Sequence, residues 1–200
     1  MTKYKRDKTY IPKEYWQKKS SIWSPKKAIV ELNNLRLWMS EFCPDKPQIL
    51  EIGSGTGRVY SNLHKNNIVD DTHYKMCDIV DGLIKRCEKN TGIKPDKWDG
   101  IKTKYKDDQF DLLISFSVLM WVPPENIDKS FKEHVRICKK HIFIATWYAD
   151  LKGIVGTSGR VFEHNYFKIF KKYNLKVVKE HKINSDDIYL SRRNWLLEKQ

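Results

Sequence analysis

The sequence predicts an α/β fold: a three-layer sandwich whose mostly parallel seven-stranded sheet ends in an antiparallel hairpin. Three observations carry this. From Gln48 onward, short apolar runs alternate with segments of helical periodicity. The run Phe110–Phe116 is almost continuously apolar, as a central parallel strand buried on both faces must be. Two extended segments close the chain with only Asn184-Ser-Asp186 between them, a spacing short enough for a hairpin.

The elements follow in order. Ser24 can cap a helix with Pro25 at its first position, and Ala28, Leu32, Leu35 and Met39 recur at helical spacing through Phe42. Cys43-Pro-Asp-Lys-Pro47 breaks that helix, and Gln48–Ile52 reads as a short buried strand. A glycine-rich turn leads into a helix over Arg58–Lys65. His73–Cys77 predicts a strand, and Val80–Asn90 a helix stopped by Gly92. Lys94–Ile101 holds a weak strand. Pro124 opens a helix through Arg136, with Ile127, Phe131, Val135 and Cys138 on one face and His134 packed beside them. His141–Trp147 is the next strand. Gly153, Gly156 and Gly159 punctuate a loop, and Val161–Tyr173 is helical, with Phe162, Tyr166, Ile169 and Tyr173 as its stripe. Leu175–Ile183 and Asp187–Leu196 form the hairpin.

Composition narrows the function classes. The chain of 200 residues is 40% hydrophobic, enough for one sizeable core, so residues 25–200 read as a single domain behind a head of residues 1–24. No apolar run reaches the ~18 residues of a membrane span. The charged start Met1–Lys8 leads into no apolar stretch, which predicts no secretory signal. Four cysteines without a C-x-x-C pair exclude a zinc ribbon, predict no metal site and fit a reducing cytoplasm. The net charge is +13, and residues 1–27 hold nine basic residues against two acids, so over half the excess sits on the head. That head is either a solvated lead-in or an arm for phosphates. Its aromatics Tyr15, Trp16 and Trp23 also suit a lid.

The strongest motif is Ile49-Leu-Glu-Ile-Gly-Ser-Gly-Thr-Gly-Arg58. A strand, a glycine turn and a helix make a cradle in which backbone approaches a ligand closely and the helix start offers N–H donors. The glycine spacing fails the dinucleotide fingerprint, because Arg58 fills its last glycine slot, and no Gly-Lys-Ser/Thr makes a P-loop. With Glu51 two residues ahead of Gly53, the pattern is E-x-G-x-G-x-G.

On these residues the chain resembles the class I S-adenosylmethionine (SAM)-dependent methyltransferases, over roughly residues 45–147. The resemblance implies SAM as cofactor and a methyl acceptor as substrate. It implies that Gly53, Ser54, Gly55 and Gly57 run beneath the methionine part of SAM, with Glu51 as the acid of that motif. It implies that Asp78 and the neighbouring Ile79 meet the ribose, with Asp81 the next candidate. Asp99 and Gly100 match the adenine side, with Ile101 as a wall. Ser115 and Trp121 match the segment beside the transferred methyl group. One departure is Lys139-Lys140, where the family often has a Gly-Gly turn.

No Asn/Asp-Pro-Pro-aromatic segment follows Ser115, and no cysteine has a Pro-Cys or Thr-Cys context, which excludes adenine-N6 and cytosine-C5 chemistry. His164 and Tyr148 are the candidate proton acceptors, and Arg160 the candidate anchor for an acidic substrate. The reading is transfer to an O or N atom of a small-molecule acceptor. An RNA acceptor guided by the head, and a SAM-binding module without catalysis, are the alternatives.

Overall fold

The computed structural model describes residues 12–20, 28–99, 101–148, 161–162, 164–183 and 191–200. The helices are α1 (Pro12–Lys19), α2 (Ile29–Phe42), α3 (Arg58–Lys65), α4 (Asp81–Thr91), α5 (Pro124–Ile137) and α6 (Tyr166–Lys172). The strands are β1 (Ile49–Ile52), β2 (Tyr74–Asp78), β3 (Asp96–Lys97), β4 (Phe110–Phe116), β5 (Cys138–Tyr148), β6 (Leu175–Ile183) and β7 (Ser191–Lys199). They form one sheet in the order β3-β2-β1-β4-β5-β7-β6. The first five are parallel, and β7 is antiparallel to both β5 and β6. The strand order reverses between β1 and β4, and a ligand crevice forms at such a point, outside the carboxyl ends of the strands.

Both faces of the sheet are covered. Leu50, Leu113, Ile142, Ile144 and Trp195 pack with Phe131 of α5 and Tyr166 and Phe170 of α6. Ile49, Leu112, Ile114 and Phe143 pack on the other face with Leu35 and Trp38 of α2 and Val59 and Leu63 of α3. Burying a Leu or Phe side chain contributes about 1.5–3 kcal/mol, so truncating Leu35 or Phe131 to alanine costs about 2–5 kcal/mol.

The element boundaries have local causes. Gly92 takes a φ of +77° and its N–H reaches the Glu88 carbonyl at 2.8 Å, which stops α4 where the sequence placed the stop. α5 starts at Pro124 as expected. The last helix starts later than its apolar stripe suggested. Asn165 caps it, its side chain accepting the Lys168 N–H at 3.0 Å, so the first turn of the expected stripe stays outside. α2 begins at Ile29 with Ala28 as its cap, and Ser24 and Pro25 lie outside the described residues. β5 reaches back to Cys138, which pairs with Phe110 across a register shift.

Candidate functional site

Three strand ends meet at the switch point. β1 runs into a loop whose glycines all have positive φ: Gly53 +67°, Gly55 +59° and Gly57 +83°. The Gly53 and Ser54 N–H groups both donate to the Cys77 carbonyl, at 2.8 and 3.0 Å, so the loop folds over the end of β2. A Cβ on Gly53 would lie 2.4 Å from a Val118 methyl, and one on Gly57 2.4 Å from the Thr91 methyl. Those two glycines are therefore required by the chain's own packing.

Asp78, at the end of β2, is the strut of the cradle. Oδ2 accepts the Gly55 N–H and Oδ1 accepts the Val80 N–H, each at 2.9 Å. Burial raises its pKa, and the N–H donors of Val80 and Gly55 pull it back down. Ile79 beside it is half-buried. Glu51 lies on β1 behind the loop, fully enclosed, and its Oε2 accepts the Tyr74 hydroxyl proton at 2.9 Å. Burial pushes its pKa up to about 8, against the Tyr74 hydrogen bond and the Arg58 charge.

The other sequence candidates fall into three groups. Ser115 joins the cradle: it ends β4 in register with Ile52, is fully buried, and its hydroxyl has no partner among the described residues. Asp99 is exposed and Oδ1 accepts the Ile101 N–H at 2.9 Å, which closes a turn. Asp81 is exposed and holds the Lys97 ammonium at 2.6 and 2.8 Å. Gly100 and Arg160 lie outside the described residues.

His164 and Tyr148 are both placed, each with contacts to the chain itself. His164 is buried and its Nε2 sits 3.1 Å from the Leu119 carbonyl. A carbonyl only accepts, so that nitrogen carries the proton and takes none from a substrate. Burial lowers the His164 pKa, keeping the ring neutral. The geometry fits a strut that ties α6 to the segment after β4. Phe162 adds to it by donating its N–H to the Met120 carbonyl at 2.7 Å. Tyr148 ends β5 within an aromatic group, edge-on to Trp195 and beneath the Arg193 guanidinium at 5.3 Å.

Trp121, in the 3-10 turn Leu119–Trp121, gathers the head. Tyr15 of α1 stacks on it at 6.2 Å, and Trp16 meets it edge-on at 5.0 Å. α1 is anchored at its far end where Arg86 of α4 donates to the Ser20 carbonyl. Gly82 allows this, since a Cβ there would lie 2.2 Å from the Ser20 hydroxyl oxygen. Sequence reasoning missed Gly82 and Arg86. It also missed Arg58, although that residue follows the glycine loop directly; its guanidinium lies over the Phe116 ring at 4.8 Å.

A loop of positive-φ glycines with a carboxylate beside it can hold a cofactor. Comparison with known proteins bears on which cofactor. Residues 50–145 match the family model described as a methyltransferase domain. Magnesium protoporphyrin IX methyltransferase from Synechocystis, with bound SAM, superposes with a TM-score of 0.68 at 13% identity, over 97% of this chain and 100% of that one. A SAM-dependent methyltransferase from Methanosarcina mazei gives 0.67 at 12% identity, over 81% and 96%. The [4+2]-cyclase SpnF gives 0.68 at 11% identity, over 84% and 80%. A search of curated protein sequences finds no match. At these identities the superpositions speak for the fold, and the family match speaks for the chemistry. Residues 50–145 match a methyltransferase domain, which makes the chain an enzyme, and its fold is that of the class I SAM-dependent methyltransferases.

Proposed function

We propose that the chain transfers the methyl group of SAM to an O or N atom of a small-molecule acceptor. The observation that carries the acceptor size is the packing of Tyr15 and Trp16 on Trp121, which sets an eight-residue helix over the carboxyl edge of the sheet. A roof of this kind suits an acceptor that is enclosed, whereas a nucleic-acid strand needs an open basic groove.

When bound, SAM supplies an electrophilic methyl group on a sulfonium centre. The fit to this chain rests on the Asp78 carboxylate beside the glycine loop and on the orphan Ser115 hydroxyl at the end of β4. Gly53, Ser54, Gly55 and Gly57 would hold the methionine part. Asp78 and Ile79 would take the ribose, and Asp99 and Gly100 the adenine side. Glu51 supports β1 from behind and is mostly protonated at neutral pH. Trp121 with α1 excludes water and orients the acceptor, and orientation is the main source of rate in an in-line displacement. His164 holds the roof segment in place.

Residues 12–20 act as a lid in this reading, and the remaining described residues as one domain. Among the described residues no helix is long and apolar enough to cross a membrane. All four cysteines are unpaired, which fits a reducing compartment such as the cytoplasm.

The test is transfer of labelled methyl groups from SAM into small-molecule and RNA pools. Because a [4+2]-cyclase shares the fold, SAM binding alone does not decide it. Label in small molecules that persists at high salt supports the proposal. Label only in RNA, lost steeply with salt, points to the head-guided alternative. Binding without transfer to either pool points to a SAM-binding module.

A further inference from the structure

Lys139 and Lys140, which stand where class I methyltransferases often have a Gly-Gly turn, form a bulge at the start of β5. Phe110 pairs with Cys138 and Leu112 with His141, so Asp111 alone opposes both lysines. Along a regular strand, consecutive side chains point to opposite faces. Here both lysines line one groove at the amino edge of the sheet. Its other walls are Glu41 and Phe42 at the end of α2, Cys43 and Pro44 after it, and Asp111 of β4. The groove offers about 530 Å³, a volume typical of small-molecule sites. Asp111 and Ser115 lie on the same strand, roughly 13 Å apart at ~3.3 Å per residue, so the groove is separate from the glycine cradle at the carboxyl edge.

The groove's two carboxylates already have partners. Asp111 Oδ1 lies 3.4 Å from Lys139 Nζ, and Oδ2 accepts the Gln48 N–H at 2.9 Å. Glu41 pairs with Lys179 at 2.8 Å. Lys140 is exposed and has no acid within ion-pair distance among the described residues. The rest of the lining is apolar. The Phe42 ring is fixed by the Lys179 ammonium, 5.2 Å from its centroid, and by the buried His141 ring, which it meets edge-on at 6.0 Å. Burial and the Asp111 carboxylate push the Cys43 thiol up to about 12, so it stays neutral and extends the wall. A single exposed lysine needs no partner. Packing does not explain why two side chains of one bulge converge on a groove of this size.

We propose that this groove is a second binding site, for a small anion with a flat apolar body. A carboxylate or phosphate head pairs with the Lys140 ammonium, and the body lies against Phe42, Cys43 and Pro44. The Lys139–Asp111 pair fixes one side of the mouth. This site does not depend on which acceptor receives the methyl group.

The experiment follows the amide resonances of the isotope-labelled full chain during titration with benzoate and phenyl phosphate at constant ionic strength. Acetate tests the head alone, and benzylamine the body with the opposite charge. The expected result is a set of shifts centred on residues 41–43 and 139–141 with the aromatic anions and not with the controls. A response to only one of the two anions identifies the head group and supports the site. Lys140→Met weakens binding about tenfold, the scale of one charged hydrogen bond, and Lys140→Arg keeps it. Both variants unfold at the temperature of the unaltered chain, because Lys140 has no internal ion pair to lose. No shifts at these residues, equal shifts with acetate or benzylamine, or unchanged affinity in Lys140→Met overturns the proposal. Displacement of the anions by S-adenosylhomocysteine would place them in the cofactor cradle and overturn it too. Shifts produced only by an acidic peptide would make the groove a protein-docking face and overturn the small-molecule occupant.

Discussion

The Asp78 carboxylate accepts the Gly55 backbone N–H at 2.9 Å, so the glycine loop and the end of β2 behave as one unit. A carboxylate at this position shapes the loop before any ligand arrives. Asp78→Ala is expected to weaken SAM binding by about 1–3 kcal/mol, the scale for losing a hydrogen-bonded charged partner, and to lower Tm as the loop loosens. Calorimetric titration checks the first effect. Unchanged affinity would reduce Asp78 to a turn residue.

Glu51 ties stability to pH. Its folded pKa of about 8 lies above the ordinary carboxyl value of 4.5, so the folded state holds a proton that the unfolded state releases. The contribution is fully present below the unfolded pKa and is lost as pH rises through the folded one. Urea unfolding should therefore show stability falling between pH ~5 and ~9, by an amount on the order of 2–4 kcal/mol. Glu51→Gln should flatten that slope. A slope of the same size in the variant would place its origin elsewhere.

Gly57 is held both by its φ of +83° and by the Thr91 methyl, 2.4 Å from where a Cβ would stand. Gly57→Ala should destabilise the protein by about 1–3 kcal/mol through backbone strain, with the collision added. Combining it with Thr91→Ser removes the nearest colliding group and should recover only part of the loss. Full recovery in the double variant would show that strain is absent.

The packing of α1 depends on Trp121. Each aromatic pair is worth about 0.5–1.5 kcal/mol, and Trp121→Ala removes two of them, those with Tyr15 and Trp16. Proteolysis within residues 12–20 should quicken, and the acceptor KM should rise more than kcat falls. Unchanged cleavage would mean that the Arg86–Ser20 anchor alone holds α1.

The cradle was legible because its determinants are local. A buried run, three glycines at alternate positions and a helix start occupy ten consecutive residues, and Asp78 ends the next strand. The role of His164 was less legible, since an imidazole looks the same in sequence as a base or as a strut. The Leu119 carbonyl that accepts its N–H hydrogen bond is 45 residues away. Arg160 and Gly100 remain sequence expectations, outside the described residues.

By itself the sequence determined the alternation of strands and helices, the closing hairpin and the glycine cradle with its acidic neighbour. Periodicity, capping and positive φ act over a few residues and are written along the chain. Only the tertiary structure decided that α1 packs on Trp121 and α4, that Glu51 is enclosed behind the glycine loop, and that Glu31, Arg192 and Asn194 come together. Glu31 and Arg192 stand 161 residues apart and meet because strand order brings β7 beside β5 under the start of α2. Such a meeting depends on packing and burial across the whole sheet, which no local pattern encodes.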